Sequence, residues 1–363
     1  MPRTSGGTPW SPTSTASADA RRTAASSPYA GRMSAPLPMS APAVRWGILG
    51  AGGIARKLAD AVTHYTDSSV VAVGSRDEAR AQAFADAAGI PTAYGSYEQL
   101  VADPDIDVVY VATPHSHHHE HTLLAIEAGK HVLCEKAFTQ NARQAREVVE
   151  AARAKGVFVM EAMWTRHLPH VHALRELIAR GEIGDIVSLQ ADHGQLLTHV
   201  ERMWNPALAG GALLDLGVYP IAFAHDILGV PDKITATGRL RETGVDGQAS
   251  MIFDYEHAQA ILTTTMEART PCVALIGGTE GRIEVHDTFY TPTSFTVTRL
   301  DGTSWTYDGT LPNGFQFEAA EVARRIHAGD TESPLMTLDQ SIEVMEILDE
   351  VRMQVGLRYP NEV

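Results

Sequence analysis

Cysteine is almost absent from this chain: Cys134 and Cys272 are the only two among 363 residues. Two thiols cannot build a disulfide framework or a zinc site, and they fit a reducing compartment, so a cytoplasmic location is expected. Long apolar runs are missing as well. None approaches the ~20 residues that a membrane-spanning helix needs, and no membrane role is expected. Basic residues are in deficit, 29 Lys and Arg against 44 Asp and Glu, for a formal charge of −15. So acidic a surface repels phosphate backbones and anionic lipid, which argues against nucleic-acid and membrane partners and leaves any anionic ligand to a local pocket. What is present is ordinary globular material, 44% hydrophobic and 20% charged. It is too long for one core, so two domains are expected.

Residues 1–43 are Ser, Thr, Ala, Pro and Gly with few aliphatic side chains. Such a stretch cannot bury enough apolar area to offset its chain entropy and reads as a disordered tail. Arg21-Arg22 suggests a twin-arginine export signal, but no apolar region of the required length follows. Met33 and Met39 are alternative starts. From residue 44 short aliphatic runs alternate with helical patterns: strands over 44–49, 70–74, 107–112, 131–134 and 157–160, helices over 53–62, 77–88, 117–128 and 140–155. Alternation of this kind predicts βαβ units and a doubly wound parallel sheet over 44–164, the α/β fold of a Rossmann domain. Beyond 164 the rhythm changes. An amphipathic helix (170–179), a strand (186–192) and a helix within 212–228 precede strands over 233–238, 248–255, 258–266, 272–277, 281–285 and 294–299. Helices over 317–328 and 338–355 close the chain. Consecutive strands without intervening helices predict antiparallel pairing, so 165–363 is read as an α+β domain with one large, mostly antiparallel open sheet.

Gly50-Ala51-Gly52-Gly53-Ile54-Ala55 fits G-x-G-x-x-A, directly after the first strand and directly before the first helix. Gly50 permits the tight turn, Gly52 lets the backbone approach a pyrophosphate, Gly53 and Ile54 open the helix, and Ala55 lets that helix pack on the strand. The N–H groups of the helix start supply the anion site that this acidic protein otherwise lacks. At the end of the second strand stands Gly74-Ser75-Arg76, where an NAD site wants a carboxylate. Arg76 beside the Ser75 hydroxyl suits a 2′-phosphate instead, so NADP(H) is preferred and NAD(H) is the alternative.

Thr113-Pro114-His115-Ser116-His117-His118, followed by Cys134-Glu135-Lys136, resembles the Gfo/Idh/MocA oxidoreductases. Glu161 to Arg166, Gly210 to Tyr219 and Gly278 to Gly281 are similar to its dihydrodiol and NADP-dependent D-xylose dehydrogenase branch. The resemblance spans about residues 44–363. It implies that the turn carrying Thr113, Pro114, His115 and His118 lies over the nicotinamide half of the cofactor, and that Glu135 and Lys136 close the fifth strand beside it. Two departures stand out: His115 where most of the family has Asn, and Ala137 where it has Pro, which is expected to loosen the backbone after Lys136.

Oxidising a secondary alcohol with a nicotinamide requires an acceptor for the hydroxyl proton and electrostatic support for the growing carbonyl. Lys136 ends a parallel strand, where open α/β sheets place ligands, and its ammonium can stabilise an alkoxide-like oxygen. Glu135 can balance or orient that charge. Asp215 and Tyr219 are four apart and are expected on one helix face. A nearby lysine is expected to lower the Tyr219 phenol from its ordinary pKa near ~10. The resemblance implies Lys136 and Tyr219 as the proton-transfer couple, with Asp215 orienting substrate hydroxyls or the lysine. Trp164 and Arg202 are candidate substrate contacts and Arg166 a candidate cofactor contact. His117 and His121 share a helix face, but no third ligand motif accompanies them and no metal is expected. The ligand expected is a small sugar, polyol or trans-dihydrodiol. Alternatives are an aldose 1-dehydrogenase or an anhydrosugar or ketose reductase on the same site, and a non-catalytic dinucleotide-sensing regulator. Ile252 and Ile261, alternating with polar residues, suggest a covered sheet face and a homodimer or homotetramer.

Overall fold

The structure, a computed structural model, describes residues 37–360 and Glu362. The tail expected over 1–43 lies outside the described residues up to 36; residues 37–43 run mostly exposed, with Ala41 alone buried. Pro38–Ser40 form a 3-10 turn, Arg324 donates to the Leu37 carbonyl at 2.6 Å, and Ala41 is buried. The turn Pro38–Ser40 packs against a helix almost three hundred residues later, which local composition cannot show.

The first domain is built from β1 (Arg45–Leu49), α1 (Gly53–Tyr65), β2 (Ser69–Gly74), α2 (Glu78–Ala88), β3 (Thr92–Tyr94), α3 (Tyr97–Ala102), β4 (Val108–Val111), α4 (His118–Glu127), β5 (His131–Glu135), α5 (Ala142–Lys155) and β6 (Val159–Ala162). The strands are parallel in the order β3-β2-β1-β4-β5-β6. All of β4 and β6 is buried, which is why these strands read as unbroken apolar runs. Side chains of Asp77, Ser96 and Asn141 accept from the third helical N–H and start α2, α3 and α5. β3 and α3 were not expected: a three-residue strand and a six-residue helix are too short to show a period. The strand order reverses between β1 and β4, the position where doubly wound sheets open a ligand crevice.

The second domain contributes α6 (Pro169–Ala179), β7 (Ile186–Gly194), α7 (Val218–Leu228), β8 (Lys233–Leu240), β9 (Asp246–Asp254), β10 (Gln259–Thr265), β11 (Ala274–Gly278), β12 (Gly281–Val285), β13 (Phe295–Arg299), β14 (Ser304–Tyr307), α8 (Phe315–Ala328) and α9 (Leu338–Val355). Its sheet runs β14-β13-β12-β11-β7-β10-β9-β8. The expectation of antiparallel pairing holds except at the centre. β7 enters between β10 and β11 and lies parallel to β10, because the chain leaves the sheet between them. One face packs on α7 and α9; on the other, the cross-strand pair Ile261 and Ile252 stays exposed.

One stretch corrects the reading that no long apolar run exists. Pro206–Leu228 has 23 residues, and its most apolar 18-residue window has a mean hydropathy of 1.6 and is 89% buried inside the protein. It is broken into turns and α7 and serves as core.

Candidate active site

The glycine segment forms an open cradle at the C-terminal edge of β1. Gly50 takes φ +112° and has the Ala112 carbonyl 3.0 Å from where a Cβ would sit, so only glycine fits. At Gly52 and Gly53 a Cβ would meet nothing within 4 Å; the backbone of the α1 start faces free space, as a bound pyrophosphate requires. Ile54 is partly buried beside them. The buried Ser75 hydroxyl accepts from Asp77 N at 3.2 Å, and exposed Arg76 stands at the mouth. Arg80, which sequence reasoning passed over, donates through Nε to the Ala51 carbonyl at 3.2 Å and ties α2 to the cradle. Its place in the first turn of the helix that follows Ser75-Arg76 was the available signal. The residues present fit an adenine dinucleotide.

The turn after β4 meets the end of β5. His118 is 1% exposed, and its two ring nitrogens lie 2.8 Å from the carbonyls of Ala137 and Thr113. A neutral ring donates to only one of these carbonyls at a time, and either bond ties the two loops together. With almost no surface exposed, the ring faces protein and not the cradle, which corrects its expected place among the cofactor contacts. The same contact corrects the expectation at Ala137. That residue is fully buried, and Phe138 N donates to Glu161 at 3.1 Å, so the backbone after Lys136 is held without a proline. Thr113 uses its hydroxyl on His121 at 3.0 Å, and His121 stacks on His117 at 5.5 Å. Among the described residues no three His, Cys, Asp or Glu side chains come together to hold a metal.

Opposite this turn the second domain presents Asp215 and Tyr219. Leu213–Gly217 is a π-helical turn leading into α7, so the two are not on one regular helix face as expected. Pro220 has no N–H, which leaves the Leu216 carbonyl without its i+4 donor and the Asp215 carbonyl without an i+5 donor. Side chains take both: His193 Nδ1 lies 3.0 Å from the Leu216 oxygen, and Lys136 Nζ donates to the Asp215 oxygen at 2.7 Å. Lys136 Nζ is also 3.6 Å from the Asp215 carboxylate and 4.9 Å above the Tyr219 ring centre. Arg202 grips Asp215 with two bonds, 3.1 and 3.2 Å, and His115 Nε2 lies 3.9 Å away. Folding thus gathers Lys136, Asp215, Tyr219, Arg202 and His115 from four segments of the chain.

An aromatic wall completes the site. Trp164 donates to the Tyr219 hydroxyl at 3.3 Å and stacks on Phe315 at 4.3 Å. His193 stacks on Tyr290 at 4.1 Å, and Gln195 donates to Tyr290 at 2.9 Å. His193, Gln195, Tyr290 and Phe315 were missed. The first two stand at the carboxyl end of β7, a legible position; Tyr290 lies in a loop and Phe315 opens α8, two residues before the helix start read from the sequence.

Charge states follow from burial and partners. Burial holds His115 down to about 3, His118 to about 4 and His193 to about 3, so all three are neutral at pH 7. Burial would raise Asp215, but Lys136, Arg202 and His115 outweigh it and hold the carboxylate well below its usual range. Tyr219 corrects the expectation of a lowered phenol. Burial, with Glu135 next and Asp215 and Glu318 adding, pushes it well above its ordinary value. The amine meets the ring face and a carbonyl, not the phenolic oxygen, so the phenol stays protonated. Glu135 turns inward and accepts from the buried Tyr110 hydroxyl. Arg166 is a second correction. It is 2% exposed and donates to Gln340, to the Ala222 carbonyl and to His225, so it bridges α7 and α9 away from the cradle.

The sequence profile of the Gfo/Idh/MocA oxidoreductase family, NAD-binding Rossmann fold, matches residues 44–163, and that of the GFO/IDH/MocA C-terminal domain matches 171–284. The chain belongs to the Gfo/Idh/MocA oxidoreductase family. It is 38% identical over 334 residues to the trans-1,2-dihydrobenzene-1,2-diol dehydrogenase of Bos taurus, covering 88% of this chain and 99% of that one. It is 40% identical over 369 residues to the D-xylose 1-dehydrogenase (NADP(+)) of Hypocrea jecorina, covering 87% and 93%. The solved 3-ketoreductase KijD10 of Actinomadura kijaniata, in complex with NADP and TDP-benzene, superimposes with a TM-score of 0.78 at 28% identity over 86% of this chain and 98% of that one. The family's two-domain fold, a parallel six-stranded sheet beside an eight-stranded one, is the architecture described above.

Proposed function

We propose that the protein is an NADP(H)-preferring dehydrogenase that interconverts a secondary alcohol and a carbonyl on a sugar, cyclic polyol or trans-dihydrodiol. The observation that carries this reading is the meeting of Lys136 and Tyr219 at the carboxyl end of β5, with Asp215 held by Arg202 beside them. The dihydrodiol and D-xylose dehydrogenase relatives support the substrate class, and the NADP named with two of the compared proteins supports the cofactor, together with Arg76 in place of a carboxylate.

The bound nicotinamide supplies the hydride acceptor or donor. The chain's own residues handle the oxygen. The protonated Tyr219 phenol gives its proton to the substrate carbonyl oxygen in the reductive direction; in the oxidative direction the hydroxyl proton goes to the phenolate, formed once the phenol has released its own proton to solvent, so oxidation is expected to gain as pH rises. The Lys136 ammonium, oriented by the Asp215 carbonyl, stabilises the alkoxide-like oxygen between them. Trp164, Phe315 and Tyr290 offer aromatic faces to the C–H side of a sugar or diol ring, and Arg202 and His115 border its hydroxyls. A non-catalytic dinucleotide sensor needs none of this convergence. The test is NADPH fluorescence on mixing, then turnover of a sugar, polyol and dihydrodiol panel with NADP⁺ and NAD⁺ in parallel. Binding without any turnover, unchanged by Lys136→Ala, overturns the enzyme reading.

The exposed Ile252 and Ile261 pair is the face through which we propose a homo-oligomer forms. Ile261→Asp is expected to yield a monomer by light scattering; a wild-type monomer at micromolar concentration refutes it.

A further inference from the structure

A hydrogen-bond chain with a fixed direction runs from α7 to the aromatic wall of the site. Because Pro220 brings no N–H, the Leu216 carbonyl is paired with His193 Nδ1 at 3.0 Å. A carbonyl only accepts, so Nδ1 carries the ring proton and the other nitrogen of a neutral imidazole, Nε2, is an acceptor. Gln195 Nε2 lies 2.8 Å from His193 Nε2 and 2.9 Å from the Tyr290 hydroxyl oxygen, so its two amide hydrogens go one to each. The opposite placement of the amide, with its oxygen between these two groups, would require protons on both nitrogens of a ring that is 1% exposed. Tyr290 therefore accepts from Gln195, and its own proton must point elsewhere. Among the described residues no group accepts that proton. The ring is seated in the site: it lies 4.8 Å from the Tyr219 ring, and the Thr165 hydroxyl holds the Tyr290 carbonyl at 2.9 Å. The residue keeps part of its surface exposed.

We propose that Tyr290 is a specificity-determining residue whose hydroxyl donates its proton to a substrate oxygen other than the one that reacts. The proposal rests on the dehydrogenase reading above and narrows its substrate to a ring with oxygens to spare, a sugar or cyclic polyol. His193 and Gln195 are positioning residues that act through Tyr290. A free tyrosine hydroxyl both donates and accepts and can serve a neighbour in either sense. With its lone pair taken by Gln195 it is committed to donating, so it recognises an acceptor. Burial holds His193 down to about 3 and pushes the Tyr290 phenol above its ordinary value, so both the direction of the chain and the proton at its end persist at pH 7. An apolar wall has no need of this chain. A phenylalanine at position 290 would stack on His193 as well and would leave no hydroxyl to orient. The reacting oxygen belongs to Tyr219, which has the Lys136 amine over its ring, so the two phenols address different atoms of one ligand.

The test uses Tyr290→Phe and Gln195→Glu in the full chain, with NADP⁺ and the best sugar or polyol of the panel beside its monodeoxy and carbocyclic analogues. Wild type is expected to turn over one analogue with a KM about five- to ten-fold above that of the parent and a similar kcat, the worth of one hydrogen bond where water can still reach. Tyr290→Phe is expected to raise the KM of the parent to that of this analogue, leave the analogue unchanged and keep kcat within about two-fold. The carboxylate of Gln195→Glu only accepts, so it draws the Tyr290 proton inward. That variant is expected to match Tyr290→Phe, with no further loss in the double variant. Nitrogen-15 spectra are expected to show a neutral His193 with its proton on Nδ1, the signals being assigned by their loss in His193→Phe. A purely packing role leaves the selectivity among analogues in place. A wild-type KM for the parent in Tyr290→Phe, an undiminished preference over the analogue in that variant, or a His193 proton on Nε2 overturns the inference. Should nothing in the panel turn over, the dehydrogenase reading fails, and calorimetric affinities of the same sugars for the NADPH-loaded protein decide in place of KM; equal affinities, or none, overturn the inference.

Discussion

Replacing Lys136 with Met separates catalysis from stability in a way the geometry allows to be worked through. The amine lies 3.6 Å from the Asp215 carboxylate, but Arg202 holds the same carboxylate with two bonds at 3.1 and 3.2 Å. Removal of the lysine therefore leaves no orphaned charge, and the methionine chain fills the stem's volume over the Tyr219 ring. The Asp215 carbonyl does lose its donor, so the stability cost is expected at about 1–3 kcal/mol, a Tm fall of several degrees. The reaction loses more. An ammonium about 4 Å from a developing oxyanion, at an effective dielectric of about 20, is worth about 4 kcal/mol, or roughly a thousand-fold in rate. Steady-state kcat/KM, thermal unfolding and NADPH fluorescence titration on the same preparation check all three terms. A loss of activity below about ten-fold with cofactor affinity intact refutes the placement of Lys136 at the reacting oxygen. A collapse of Tm shows instead that the lysine is structural.

Other expectations follow from single contacts. Arg76→Ala is expected to weaken NADP⁺ by about 10–100-fold, the worth of charge-assisted bonds to a phosphate, and to change NAD⁺ affinity little; equal losses place Arg76 elsewhere. Glu161 is buried and pushed up to about 7, chiefly by burial. Its contribution to stability is therefore complete below the ordinary carboxylate value of about 4.3 and is lost as pH rises through about 7. Glu161→Gln should flatten the fall of Tm across that window, and parallel curves for wild type and variant would sink the assignment. Arg166→Met is expected to cost about 2–4 kcal/mol by stripping the bridge between α7 and α9, with dinucleotide Kd unchanged by titration; a weakened Kd restores Arg166 to the cofactor site.

Particular elements show where sequence reasoning reaches. The glycine segment was legible because each of its requirements is local: a positive φ at Gly50, no Cβ at Gly52, a helix start at Gly53. The parallel strands of the first domain were legible because burial on both faces leaves aliphatic runs and crossover helices leave a helical period. The identity of Lys136 and Tyr219 as candidates came through the resemblance, but their relation did not. The sequence placed a lysine and a phenol in one site; it could not say that the amine would reach a ring face and a carbonyl freed by Pro220.

Composition and local pattern by themselves determined the two-domain division, the doubly wound sheet, the glycine cradle and the presence of Arg76, in place of a carboxylate, after the second strand. These are short-range properties, fixed by φ/ψ, side-chain period and formal charge. Only the tertiary structure decided the insertion of β7 between β10 and β11, the burial of His118 and Arg166 and the upward shift of Tyr219. Each of these depends on which distant groups share a low-dielectric space, and the cost of a charge there is set by its neighbours in three dimensions, not by its neighbours along the chain.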